Sequence, residues 1–365
     1  MKSCIQIIVF AVLFAAAGFC ANPEQDAPDI RPFSDLRGHR ETVNAIDFNN
    51  DGTMLASAGH EGQVFLWNVN TRRVVRKLFP KEKSITADTL RTNFTRRVEA
   101  IEFSPDGKLL AEAAQETNGA GMLRLWNVEL GEVTRVLADN VDNLRAIAYS
   151  PDGKIVAHNA RDTIGFQHKI VFREAATGKE LGSMTEANLS ATVLAYSPDG
   201  KIIASGGGKK VHIWDAEQHK LLHAIDAHEK SVQSICFSPN GKWVVSGSTD
   251  DKVKVWNVET GKLELEIKAE QDSVNAVAFS PSGKTIASAG KNRTIKLWKP
   301  KSGKQYARLW GHLDRVNCLA YSPADGMLAS GSGDSTIDLW KITEPDEVDK
   351  DDKGKVDDDE WGEDD

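Results

Sequence analysis

Two sets of residues combine chemically able side chains at matching intervals. His228, Ser246, Asp250 and Trp256 recur as His312, Ser330, Asp334 and Trp340, with Ser and Asp ten and six residues before Trp in both. A serine, a histidine and an aspartate within reach of one another invite a hydrolase reading, with nucleophile, general base and orienting carboxylate. The duplication argues against it, since an active site needs one such set. Each set also ends on an indole N–H, a donor that needs an acceptor once buried. A partial copy, His39, Ser57 and Trp67, has Glu61 at the Asp position. Another has Glu270 for His and Asn292 for Asp, before Trp298.

A second candidate lies near the end of the sequence. Residues 349–360 place acidic side chains at positions one, three, nine and twelve of a twelve-residue loop, with Gly354 at six and Val356 at eight. That is the pattern of a calcium loop of the EF-hand type. Lys353 puts a positive charge at ligand position five, and Pro345 just upstream leaves no entering helix. A solvated acidic tail is the plainer reading, with a calcium-responsive module as an alternative. Elsewhere no paired cysteines or histidine cluster show metal-ligand spacing, and no cofactor is expected. Basic residues are scattered, so no nucleic-acid partner is expected.

These side chains sit in a repeating frame. The closing aromatic falls at Trp67, Trp126, Phe172, Trp214, Trp256, Trp298 and Trp340, with spacings of 59, 46 and then 42 four times. Before each stands a turn: Asn50-Asp51-Gly52, Pro105-Asp106-Gly107, Pro151-Asp152-Gly153, Pro198-Asp199-Gly200, Pro239-Asn240-Gly241, Pro281-Ser282-Gly283 and Pro323-Ala324-Asp325-Gly326. Proline suits the second position of a type I turn, and glycine supplies the positive φ that closes the hairpin. Alternating apolar runs on either side give four short strands per period, the signature of a β-propeller blade.

On these residues the chain resembles the WD-repeat family. Gly38-His39 and Gly311-His312 match its Gly-His pair, Ala227-His228 is a near match, and Trp214-Asp215 is the literal Trp-Asp pair. The resemblance covers about residues 33–343. It implies an all-β, seven-bladed propeller of four-stranded antiparallel blades, ring-closed by an N-terminal strand that completes the last blade. The strand inventory points the same way: residues 33–37 read as an outermost strand without a blade, and the last blade lacks one. The resemblance also implies that the His–Ser–Asp–Trp sets are buried structural networks. Repeats two to four lack that histidine and are expected to be locally softer.

Residues 1–20 read as a secretory signal, with Lys2 followed by an apolar run from Ile5 to Gly18. An anchored N-terminal segment is the alternative, and Cys20 is a possible lipid acceptor preceded by an unsuitable Phe19. Residues 21–32 read as a linker. From Glu344 to Asp365 the chain carries 13 acidic residues against 3 lysines, which accounts for the whole net charge of −8. Such a segment buries too little apolar area to fold. Cys236 and Cys318 fall in first strands of non-adjacent repeats and are expected as thiols.

The departures in spacing gather in one stretch. The connection from Trp67 to Val98 is 13 residues longer than that from Trp256 to Val274, and hairpins 113–121 and 159–167 are also long. Loops elaborated on one face suggest a partner site. The expected function is a non-catalytic, exported, monomeric protein-interaction scaffold. Its expected binding face bears Arg40, Arg96, Arg97, Lys230 and Arg315 at the entries to first strands. A propeller enzyme of hydrolase or lactonase type is the alternative. The polar positions early in the first strands, Asn44, Glu99, Arg145, Thr192, Gln233, Asn275 and Asn317, include one acid and no histidine, which offers no metal cluster.

Overall fold

The computed structural model describes residues 27–79, 96–116, 120–161, 167–186 and 189–345. The leader segment, Cys20, most of the 80–97 insertion, the tips of both long hairpins and the 349–360 loop lie outside the described residues.

The turn between first and second strands is specified by the sequence of each repeat. In the second, the Ser104 hydroxyl donates to Asp106 Oδ1 (2.7 Å) and accepts from the Leu109 amide (2.9 Å), while the Lys108 amide donates to Asp106 (3.1 Å). Gly107 sits at φ 68°, a conformation that costs a residue without a side chain least. The same Ser, acceptor and Gly recur at 150–153, 197–200, 238–241 and 280–283.

The strands in chain order are β1 (Asp29–Ile30), β2 (Ser34–Arg37), β3 (Val43–Phe48), β4 (Met54–Gly59), β5 (Val64–Asn68), β6 (Arg73–Leu78), β7 (Arg97–Phe103), β8 (Leu109–Gln115), β9 (Ala120–Asn127), β10 (Glu132–Asp142), β11 (Ile147–Tyr149), β12 (Ile155–Arg161), β13 (His168–Glu174), β14 (Glu180–Thr185), β15 (Val193–Tyr196), β16 (Ile202–Gly207), β17 (Lys210–Asp215), β18 (Lys220–Asp226), β19 (Val232–Phe237), β20 (Trp243–Ser248), β21 (Lys252–Asn257), β22 (Leu263–Lys268), β23 (Val274–Phe279), β24 (Ile286–Gly290), β25 (Thr294–Trp298), β26 (Gln305–Trp310), β27 (Val316–Tyr321), β28 (Leu328–Ser332) and β29 (Thr336–Trp340).

Their pairing corrects the expected architecture. Strands β3–β6, β15–β18 and β19–β22 form blade-like four-stranded antiparallel sheets, and β2 joins β27–β29 as a fourth, with Ser34 opposite Leu339. The other two sheets depart from seven uniform blades. Asp29–Ile30, expected in the linker, adds as a parallel fifth strand beside β26. Repeats two and three share one eight-stranded sheet, because the long β10 reaches β12 at Asp142 opposite Arg161. There are six sheets among the described residues, and none is closed into a propeller or barrel. The physical reason is that neighbouring first strands meet through side chains, so each backbone ladder stops at its own edge. The Phe103 amide donates to Asp47 Oδ2 (2.7 Å), the Tyr149 amide to Glu102 Oε2 (3.0 Å) and the Val277 amide to Ser234 Oγ (3.0 Å). Asn275 Nδ2 donates to Val316 O and Asn317 Nδ2 to Val43 O, each at 3.0 Å.

Apolar side chains fill the spaces between consecutive repeats. One cluster packs Leu66 and Leu78 against Val98, Leu110 and Trp126. Another sets Leu36, Phe48 and Trp67 against Ile337 and Leu339, so the last repeat lies against the first. Trp67, Trp126, Trp214 and Trp340 are each buried, a large stabilising contribution of roughly 2–3 kcal/mol apiece from area alone.

Candidate functional site

The fifth and seventh repeats assemble their tetrads as buried hydrogen-bond chains. Trp256 Nε1 donates to Ser246 Oγ (2.8 Å), Ser246 meets His228 Nε2 (2.8 Å), and His228 Nδ1 meets Asp250 Oδ2 (3.0 Å). In the seventh, Trp340 reaches Ser330 at 2.9 Å, Ser330 reaches His312 at 2.7 Å, and His312 reaches Asp334 at 3.0 Å. The indole can only donate, so the serine hydroxyl must donate to Nε2, which leaves Nδ1–H for the aspartate. Burial lowers the His228 pKa and favours the neutral ring this chain requires. Burial alone would raise Asp250. The Glu229 amide and His228 outweigh it and hold the carboxyl below its ordinary range. Asp334 is likewise held low, against burial, by His312, Thr336 and the Leu313 amide.

This arrangement cannot act as a triad. Ser246 and Ser330 are 0% exposed, and each hydroxyl is committed to Trp and His. The chains instead tie the third strand to the residue preceding the first, and a buried polar network stabilises when each member is satisfied.

The other repeats answer the same buried donor with other chemistry. In the first, Trp67 donates to Ser57 (2.7 Å), Ser57 meets His39 (2.7 Å), His39 Nδ1 contacts Glu61, and Glu61 also accepts the Arg40 amide (2.9 Å). Glutamate thus takes the aspartate role. In the sixth, the histidine position is filled by Gln271, not by Glu270 as expected from the sequence. Ser288 donates to Gln271 Oε1 (2.7 Å), and Gln271 Nε2 donates to Ser288 O and Thr294 O. Glu270 has φ 52°, a left-handed turn that leaves its side chain 66% exposed and sends Gln271 inward.

In the second repeat Trp126 Nε1 donates to Glu112 Oε2 (2.5 Å), and Glu112 Oε1 is contacted by Arg96 and by Arg124 at 3.5 Å. Arg124 also pairs with Glu116 (2.9 Å), and Arg96 reaches Glu116 at 3.3 Å and the Gly62 carbonyl. The third repeat has Asn159, whose Oδ1 accepts the Arg145 and Ala146 amides at 2.8 Å. There His158, held neutral by burial with its pKa lowered to about 4, accepts from Arg173 Nε at 3.1 Å. The fourth keeps Trp214 to Ser205 (3.0 Å), while the buried His212 has neither ring nitrogen bonded among the described residues. Repeats two and three thus have networks of their own, and the expectation of softness there rests on their longer loops.

These placements sort the basic residues expected at a binding face. Arg40, Arg97, Lys230 and Arg315 are exposed on the rim where each repeat enters its first strand. Arg97 pairs with Glu99 (3.6 Å) and reaches His60 (2.8 Å). Arg96 is corrected: it is 5% exposed and spent on Glu112 and Glu116, so it presents no charge to a partner. Sequence reasoning missed Leu313 on the same rim, a large apolar side chain 79% exposed. Its amide binds Asp334 as the Arg40 amide binds Glu61, so the two side chains occupy equivalent rim positions. The signal was the residue directly after each His, which is Arg40, Glu229 and Leu313.

Also missed were Asp47 and Glu102, at a first-strand position that holds Ala148, Ala195, Cys236, Ala278 and Ala320 in the other repeats. Burial raises Asp47 to about 7, and burial together with the Asp47 charge raises Glu102 well above its ordinary value. No group of three or more His, Cys, Asp or Glu among the described residues is placed to hold a metal. Cys236 and Cys318 are half-buried free thiols, pushed up to about 12 by desolvation.

The WD domain, G-beta repeat family matches residues 30–68, 178–215, 219–257, 261–299 and 303–341, more than half of the chain. The chain belongs to the WD-repeat family. The unmatched stretch, 69–177, holds the repeats whose networks are ionic or amide-based. Among relatives, apoptotic protease-activating factor 1 of Homo sapiens is 34% identical over 114 residues, 31% of this chain and 8% of that protein. U3 small nucleolar RNA-associated protein 15 homolog of Xenopus tropicalis is 23% identical over 220 residues, 60% of this chain and 38% of that protein. Periodic tryptophan protein 2 homolog of Schizosaccharomyces pombe is 29% identical over 107 residues, 29% and 10% respectively. The WD-repeat chain thus spans well under half the length of each of these relatives.

Proposed function

We propose that this WD-repeat protein is a non-catalytic platform that binds another protein on the rim bearing Leu313, Arg315 and Arg40. Leu313 carries the proposal. A leucine exposed to this degree, followed by the charged Asp314 and Arg315 and held by the Asp334 carboxylate through its backbone, fits an interface anchor with a charged surround. Membership of the WD-repeat family and the burial of every His–Ser–Asp set support an interaction role over the enzyme alternative. The partner surface that fits is apolar at its centre with acidic residues around it.

The leader pattern at residues 1–20 supports placing the platform outside the cell or in the periplasm. No helix among the described residues is long and apolar enough to cross a membrane, which says nothing of strands.

The test is affinity capture with the full chain beside Leu313→Asp/Arg315→Glu, and beside Lys154→Glu on the opposite turns. Partners lost from the rim variant alone support the reading. The same partners with all three chains refute it.

A further inference from the structure

The opposite end of the sheets carries a different surface. Each turn joining first and second strands in repeats two to six has lysine directly after its glycine: Lys108, Lys154, Lys201, Lys242 and Lys284. The first three face an aspartate of their own turn, at 3.6, 3.1 and 3.9 Å. In repeats five and six the neutral Asn240 and Ser282 stand where the earlier turns carry an aspartate. The turns joining third and fourth strands open on the same side, because the Val258 amide bonds the Lys242 carbonyl at 3.0 Å. They contribute Lys262, Lys301 and Lys304. Among the described residues Lys242, Lys262, Lys301 and Lys304 are exposed and form no ion pair, although Glu259 shares one of these turns.

The chain delivers its acidic segment to this place. After β29, Ile342 packs on the sixth and seventh repeats, Tyr306 Oη donates to the Thr343 carbonyl (2.6 Å), and Ser282 Oγ donates to Glu344 Oε2 (2.5 Å). Glu344 is thus bound to the very turn that carries Lys284. Beyond it lie residues 346–365, with 12 acidic residues and 3 lysines. At ~3.3 Å per residue this segment spans up to about 65 Å, far enough to cross several turns.

We propose that residues 346–365 dock on the lysine-bearing turns of the fifth and sixth repeats and mask that surface from other polyanions. Glu344 on Ser282 is the first contact of the series. Charge complementarity supplies the rest, in a form that added salt removes. An acidic competitor of the tail would then gain this surface only by displacing it. This masking is independent of the rim assigned to a protein partner, which lies at the other end of the sheets.

The experiment is amine acetylation of the full chain followed by mass spectrometry, beside a chain carrying Asp357→Asn, Asp358→Asn, Asp359→Asn and Glu360→Gln. These substitutions lie in sequence beyond β29 and touch none of the networks described above, and circular dichroism of both chains checks that the fold is kept. Lys242, Lys262, Lys301 and Lys304 are expected to react about two- to fivefold more slowly in the unaltered chain, the range exposed ion pairs support. Lys108 and Lys154 should not change, and salt of about 0.5 M should erase the difference. Carbodiimide cross-links should join the tail carboxylates to the same lysines within one molecule. Equal acetylation in both chains overturns the proposal. So does protection that vanishes on dilution, which would assign the tail to a second copy, and so do cross-links that go to Lys230 on the rim.

Discussion

In the fifth and seventh repeats a buried indole is answered by a neutral Ser–His pair and one aspartate. In the second it is answered by Glu112, 0% exposed, which holds Arg96 and Arg124. The same contrast runs between strands. Asp47 and Glu102 receive neighbouring amides in the first half of the chain, whereas Ser234, Asn275 and Asn317 make the corresponding links in the second. One geometric demand, the satisfaction of buried polar groups, is thus met by carboxylates at Asp47, Glu102 and Glu112 and by hydroxyl and amide side chains at Ser234, Asn275 and Asn317. The difference shows that family motifs report one chemical solution and stay silent where another is used.

Removal of a central acceptor should separate the two solutions most sharply. Glu112→Ala removes the acceptor of Trp126 and leaves two buried guanidinium groups to share Glu116 as their carboxylate, and should destabilise by about 3–5 kcal/mol, read as a shift in denaturant midpoint. Ser246→Ala leaves the Trp256 indole N–H and the His228 Nε2 without partners while Nδ1 keeps Asp250, and should cost about 2 kcal/mol in the same assay. A larger loss at Ser246 than at Glu112 would reverse the ranking of the two networks.

Acidity should also divide the halves. Asp47 is raised from 3.8 to about 7, so the folded state favours its protonated form. Its contribution is fully present below its ordinary pKa and is lost as pH rises through about 7. Asp47→Asn keeps an acceptor for the Phe103 amide and removes the titration. It should therefore gain about 1–3 kcal/mol over the parent at pH 8 and little at pH 4, the partial exposure of the site trimming the full effect. A parallel decline of both chains between pH 5 and 8 would remove Asp47 from the account. Asp250 and Asp334 act with opposite sign: their contribution is present above their ordinary pKa and is lost as pH falls through their lowered values.

The smallest expected difference is dynamic. Amides of β8 and β9 should exchange as slowly as those of β20 and β21, within about tenfold, because both pairs are internal to a sheet and anchored by a satisfied network. Much faster exchange in β8 and β9 would restore the softness expected from sequence.

Much of the fold was legible because its determinants are local. The turn glycines adopt left-handed φ where the spacing placed them, and Ser34–Arg37 pairs with the last repeat as the strand inventory required. The networks were legible where they keep the ten-residue interval to Trp. Glu112 was not, because a longer hairpin sets it fourteen residues before Trp126. Gln271 was hidden by the left-handed φ of its neighbour, which shifts the inward position by one. The fusion of two sheets was hidden because it depends on how far β10 extends beyond its hairpin partner, a tertiary outcome. Leu313 follows its histidine as Arg40 and Glu229 follow theirs, a position of no fixed residue type, and its exposure is what singles it out.

The bond between Asp142 and Arg161 has a consequence for descent. A chain of equivalent repeats can gain or lose one by slippage of its coding sequence, since each copy carries its own contacts to either neighbour. β10 ends that freedom at one junction. A copy inserted between the second and third repeats would have to part a strand that belongs to both. Those two are expected to be gained or lost only as a pair, so variation in repeat number should fall among the other repeats.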